Sequence, residues 1–143
     1  MKLVVLAQGK LKERALRELV DDYKARLGRY VSGVDEIEVK DAEGLARRVP
    51  PECFLVMLEV WGDTISSAGL AAKLETWGTR KNGTVCFVIG GAEGIPKALS
   101  SRGDAHLSLS SLTLPHRLVR LVLFEQLYRS MTIQRGEPYA REN

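Results

Sequence analysis

Short runs of consecutive apolar residues alternate along this chain with segments whose apolar residues recur every three or four positions. Met1 to Ala7 (MKLVVLA) has the length of a buried strand and is closed by Gly9. Leu16, Leu19, Val20, Tyr23 and Leu27 then fall on one helical face, with Gly28 where a C-terminal cap belongs. The charged residues between them predict a helix lying on the surface. Val34 to Val39 (VDEIEV) alternates like a half-exposed strand, Ala42 to Val49 suits a short helix, and Pro50-Pro51 stops it. Cys53 to Leu58 (CFLVML) is a continuous apolar run of strand length. Ser66 and Ser67 are candidate caps for a helix that places Leu70, Ala71, Leu74 and Trp77 together and ends at Gly78. Thr84 to Ile89 reads as a further buried strand, and Pro96 suits the first turn of another short helix. Ala105 to Leu109 (AHLSL) alternates like a last strand before a long helical segment from Pro115 to Thr132.

Strands alternating with helices, several of them apolar on both faces, predict an α/β domain around a mainly parallel sheet. The chain has 143 residues, 45% of them hydrophobic, which fits a single domain over 1–143. A formal charge of +3 and a pI near 9.0 fit contact with a polyanion without requiring one. Cys53 and Cys86 stand inside apolar runs with neither paired nor metal-ligand spacing, so free structural thiols, a reducing compartment and no metal are expected. No stretch approaches the roughly 20 apolar residues a membrane span needs. Strand character beginning at Met1 leaves no room for a targeting segment, and the expected location is the cytoplasm.

Ligands of open parallel sheets bind beyond the carboxyl ends of the strands. "FVIGGAEGIP", residues 87 to 96, stands at such an end. Gly90, Gly91 and Gly94 admit backbone angles and close approaches closed to other residues, and a side chain at Gly90 is expected to fill the ligand's place. A P-loop is excluded because Ile95-Pro96 occupies the position of its Gly-Lys-Ser or Gly-Lys-Thr end. A dinucleotide fingerprint is excluded because the first strand is followed by Gly9 alone. Glu93 by its charge disfavours phosphate and favours a cationic or amine-bearing ligand. The loop is therefore either a ligand wall or a plain tight turn.

In the segment Leu107 to Glu142, apolar residues surround most of one helix, broken mainly by Arg120, Glu125, Gln126 and Arg129. Such a helix is buried on more than one side, either against a second copy of the chain in a homodimer or at the centre of a monomer. Arg135, Tyr139 and Arg141 follow. Arginine forks bind phosphate and tyrosine rings stack on splayed bases, so the tail reads as an RNA contact or as a solvated terminus. His116 beside Pro115 reads as a helix-start residue, and His106 as a structural strand residue.

"IGGAEGIP", "LSLSSLTLPHRLVRLVLFEQLYR" and the ending "PYARE" together resemble the RlmH family, large-subunit (23S) ribosomal RNA pseudouridine N3-methyltransferases of the SPOUT superfamily. The likeness runs from "MKLVVLA" through "MLEVWG" and "LAAKLETW" to the last residues. It implies a SPOUT-type sheet with helices on both faces, a deep trefoil knot near the C-terminus, and a homodimer whose sites are completed by the partner's chain. It implies S-adenosylmethionine as cofactor, held by Leu58, Gly90, Leu109, Ser110, Ser111, Leu112, Thr113 and Leu114. The implied substrate is ribosomal RNA within the assembled ribosome. Arg141, Glu142 and Tyr139 are the implied catalytic residues, with Arg129 and Arg135 as RNA contacts. The chain departs from the family's Tyr-His-Arg ending by carrying Tyr139-Ala140-Arg141. A catalytically degenerate RNA-binding homologue is therefore the alternative.

Overall fold

The computed structural model describes residues 1–141. Its strands are β1 (Lys2–Gln8), β2 (Gly33–Val39), β3 (Phe54–Thr64), β4 (Thr84–Ile89) and β5 (Ala105–Ser108). They alternate with α1 (Arg14–Leu27), α2 (Ala42–Arg48), α3 (Ser67–Trp77) and α4 (Lys97–Ser100), and α5 (His116–Gln134) follows the last strand. The strands pair in parallel, in the order β2-β1-β4-β3-β5.

The apolar runs form the inner strands because parallel sheets are covered on both faces. Leu3, Val5, Phe54, Val56, Val85 and Phe87 point to one face, under Val20 and Leu27 of α1, Leu70 and Leu74 of α3, and Leu123, Phe124 and Leu127 of α5. Their neighbours Val4, Leu6, Leu55, Met57, Cys86 and Val88 point to the other, against Leu45 of α2 and Leu99 of α4. Cys53 and Cys86 are free and buried, and hydrogen bonding to Cys53 together with burial pushes the Cys86 thiol up. Among the described residues, no helix is long and apolar enough to cross a membrane.

The structure departs from the sequence-based expectation in three places. β3 was expected to stop at Leu58 but runs on to Thr64. Its register against β5 shifts between Leu58 and Asp63, so the residues between them leave the ladder and Val60 and Trp61 become exposed. In α1, Leu19 was expected on the buried face and is 48% exposed. Val20 and Leu27 make the packing surface, and Arg17 and Lys24 turn inward to the buried Glu36 carboxylate. Arg120 was expected only to interrupt an apolar helix, yet it is buried. Its guanidinium donates to Glu36 at 2.9 Å, to Glu38, and to the Gly9 carbonyl at 3.0 Å. Those bonds clamp α5 onto β2 and the end of β1, and they satisfy charges whose burial unpaired would be costly.

Candidate functional site

A cleft of about 520 Å³ opens at the carboxyl ends of β3, β4 and β5. Leu58, Glu59, Val60 and Trp61 form one wall, Ile89 and residues 90–95 another, and Leu107 to Ser110 with Leu112 and Leu114 a third. His116 and Val119 of α5 also line it.

The glycine loop is both a tight turn and a cleft wall. The Gly94 amide donates to the Gly91 carbonyl at 2.9 Å, and the Gly91 amide donates to Gln8 Oε1 at 3.2 Å, which ties the loop to the end of β1. A Cβ on Gly90 would lie 2.5 Å from the Gly94 carbonyl carbon, and Gly94 itself has φ +82°. A side chain at Gly90 therefore collides with the loop's own backbone before it reaches a ligand, which corrects the expectation that it would merely fill the ligand's place. Ser110 organises the opposite wall by accepting from the Leu112 amide on Oγ and from Ser108 Oγ on its carbonyl, both at 2.9 Å.

Leu58, Gly90, Leu109, Ser110, Leu112 and Leu114 all line this cleft. Ser111 and Thr113 lie exposed in the same loop and are not among its lining residues. None of the lining residues is lysine or arginine, whereas Glu59 and Glu93 both are lining carboxylates. Such a wall suits a neutral or cationic ligand better than a phosphate. Among the described residues, no group of three or more His, Cys, Asp or Glu could hold a metal ion.

The tail lies elsewhere on its own chain. Residues Pro138–Arg141 form a 3-10 turn, and none of them lines the cleft. The Tyr139 hydroxyl donates to Glu125 Oε2 at 2.7 Å and stands 3.4 Å from the Tyr23 hydroxyl. Burial, together with those two bonds, pushes its pKa far above the ordinary tyrosine range, so the hydroxyl keeps its proton. The Tyr139 ring meets Tyr128 edge-on at 4.7 Å and lies under the Arg129 guanidinium at 4.8 Å. Arg129 also bonds Glu125 at 2.8 Å. Arg135 is exposed, with its guanidinium over the Tyr30 ring at 4.9 Å. Tyr30 donates to Glu137 at 2.7 Å and is pushed up to about 12 chiefly by that bond. Arg141 is exposed, and Glu142 lies outside the described residues.

Sequence reasoning ends the strand at Leu58 and so misses Glu59, Val60 and Trp61, which belong to β3 and line the cleft. His116 begins α5 as expected and also lines the cleft. His106, expected to be structural, sits on β5 with Nδ1 2.8 Å from Glu59 Oε2.

Comparison with known proteins agrees with this architecture. A family described as "Predicted SPOUT methyltransferase" matches residues 1–140. The chain is 48% identical to "Ribosomal RNA large subunit methyltransferase H" of Sorangium cellulosum, over 98% of this chain and 99% of that protein. It is 42% identical to the protein of the same name from Acetivibrio thermocellus, over 99% and 100%. Among solved structures, TrmJ from Z. mobilis ZM4 superposes with a TM-score of 0.53 at 9% identity, covering 92% of this chain and 70% of that one. A probable methylase family protein from Haemophilus influenzae superposes with a TM-score of 0.53 at 13% identity, over 98% and 68%. A match over nearly the whole sequence, on a parallel sheet with a ligand-sized cleft at its strand ends, places this chain in the SPOUT methyltransferase family.

Proposed function

We propose that this chain is an S-adenosylmethionine-dependent methyltransferase that methylates N3 of a pseudouridine in 23S ribosomal RNA on the assembled ribosome. It works in the cytoplasm as a homodimer of single-domain chains, each with the deep trefoil knot of the family near its C-terminus. The observation that carries this reading is the convergence of Leu58, Gly90, Leu109, Ser110, Leu112 and Leu114 on one cleft. The names of the full-length relatives supply the substrate class.

The cleft residues fit the cofactor. Leu58, Ile89, Leu107 and Leu114 offer apolar walls for an adenine ring, and backbone groups of 109–114 can meet its polar edge. Glu93 and Glu59 suit a sulfonium and an ammonium, and no cation waits for a phosphate. The bound cofactor supplies an electrophilic methyl group. The chain must then hold the acceptor nitrogen in line with that methyl and help the imide proton leave, because N3 is a good nucleophile only as the proton departs.

Arg141 stabilises the developing negative charge on the ring oxygens, and Glu142 accepts the proton. Tyr139 fastens the tail through Glu125 and stays protonated, so its part is to place Arg141. Arg129 and Arg135 face the RNA backbone, Arg135 being the more exposed. Because the tail of one chain does not line that chain's cleft, a second copy provides it. The half-buried Leu118, Leu121 and Val122 of α5 support a second copy packed on this helix.

Ala140 favours one rival reading, a homologue that binds ribosomal RNA without methylating it, since alanine cannot move a proton. Methyl transfer from labelled S-adenosylmethionine to ribosomes lacking the modification decides between them, with nucleosides identified by mass spectrometry and Ala140→His run alongside. N3-methylpseudouridine from the wild-type protein is the expected product. Cofactor binding without product, with product restored by Ala140→His, would establish the degenerate homologue.

A further inference from the structure

Where β3 leaves its ladder, Glu59 and Trp61 separate. The Glu59 side chain is 7% exposed and its carboxylate accepts from Ser100 Oγ at 3.1 Å. A carboxylate can only accept, so His106 donates to it from Nδ1 at 2.8 Å and its tautomer is fixed. The His106 ring is thereby held against the indole of Trp61, with ring centres 4.8 Å apart and planes inclined by 32°. Gly62 allows this arrangement, since a Cβ there would lie 2.7 Å from the Leu107 backbone. Trp61 is nevertheless 64% exposed, and among the described residues His106 is its one ring neighbour.

We infer that Trp61, braced by His106 and Glu59, is a stacking shelf for a nucleobase of the RNA substrate next to the methyl acceptor. The inference rests on the proposed RNA methyltransferase reading and adds to it a residue that engages substrate. An indole supported on one side and open at the mouth of a cleft is shaped for one more planar ring. The enclosed part of the cleft has its own apolar walls for the cofactor's adenine, so the ring that reaches the exposed lip comes from the other reactant. RNA bases outside a helix bind proteins by such stacking. Bracing by a buried carboxylate means that the shelf needs no ordering when the base arrives.

The test compares wild type, Trp61→Ala and Trp61→Phe in binding to ribosomes that lack the modification, measured by cosedimentation. The affinity of each variant for S-adenosylhomocysteine, by calorimetry, and its oligomeric state, by light scattering, are measured alongside. Trp61→Ala should weaken ribosome binding by about 5- to 150-fold, the range that loss of one base–aromatic stack spans. Trp61→Phe should recover most of it, with cofactor affinity and oligomeric state unchanged in both. Unchanged ribosome binding in Trp61→Ala would overturn the shelf. A loss confined to S-adenosylhomocysteine would overturn it in favour of an adenine contact, and dissociation of the oligomer would overturn it in favour of a subunit contact. Wild-type protein that binds ribosomes without methylating them would reject the methyltransferase reading while leaving the shelf to stand on the binding data. Wild-type protein that does not bind ribosomes would overturn both.

Discussion

The cleft loops are set by a close backbone approach and two side-chain acceptors, whereas the tail is held by a cluster of aromatic and charged side chains. In the cleft, Gly90 lies against the Gly94 carbonyl, Gln8 ties the loop to β1, and Ser110 sets the facing loop, all within one chain. At the end of α5, the 3-10 turn rests on the Tyr139 hydroxyl, bonded to Glu125 and close to that of Tyr23, and on the ring of Tyr128, away from the cleft it is proposed to serve. On the proposed reading, one chain carries the whole of a cofactor site and half of a substrate site. That reading lets a chain of 143 residues serve both a cofactor and a very large RNA by combining two copies.

The largest expected effect falls on the element that both regions share. α5 begins at the cleft with His116 and ends before the tail, and Arg120 clamps it to the sheet. Arg120→Ala should cost about 3–5 kcal/mol in urea denaturation, because Glu36 and Glu38 lose a buried cationic partner. The same cluster predicts a pH dependence. Burial opposes the charge on Glu36, and the bonds from Arg17, Lys24 and Arg120 outweigh that effect, holding its carboxyl below the ordinary value of 4.5. A lowered folded value means that the stabilisation is complete above the unfolded value and is lost as pH falls through the folded one. Glu36→Gln should therefore be less stable near neutrality, and its stability should fall less steeply than that of wild type below about pH 4.5.

A strike at the cleft alone comes next. Gly90→Val should reduce affinity for S-adenosylmethionine by about 100-fold or more in calorimetry, since the loop cannot close with a Cβ 2.5 Å from its own backbone. Its unfolding should shift less than that of Arg120→Ala, because the clash is confined to the turn from Gly90 to Ile95 and leaves no buried charge unpaired. At the tail the signature reverses. Arg141→Ala should lower methyl transfer at least about tenfold while cofactor affinity and thermal midpoint stay put, as expected for a charge that acts on the reacting ring. The smallest effect belongs to Tyr139→Phe, which removes a hydroxyl bonded at 2.7 Å. A loss of about 1 kcal/mol in stability is expected, visible as a lower thermal midpoint, with activity reduced less than in Arg141→Ala.

Strands were legible wherever the chain is apolar on both faces, and Thr84 to Ile89 matches β4 residue for residue. β3 beyond Leu58 was not, because Glu59 and Asp63 end the apolar run while the backbone continues extended past a register shift. The pairing of Arg120 with Glu36 and Glu38 was hidden for a related reason. A charge inside an apolar helix reads as an interruption until folding brings a buried carboxylate across from another element. The glycine loop announced itself through composition, whereas residues 109–114 carry no charge and stood out only through the family resemblance. Glu59 and Trp61 of β3, Ser100 of α4 and His106 of β5 come from three elements, and no local pattern could have joined them.

The sharpest test of a cleft completed by another chain's tail mixes two defective proteins. Gly90→Val and Arg141→Ala are co-refolded in equal amounts and assayed for methyl transfer to ribosomes lacking the modification, beside each variant alone. If the tail acts on the partner's cleft, about half the dimers are mixed, each with one intact site, and the mixture should recover about a quarter of wild-type activity. A mixture as inactive as its components, despite mixed dimers confirmed by mass spectrometry, would contradict the account and place cleft and tail in the same chain.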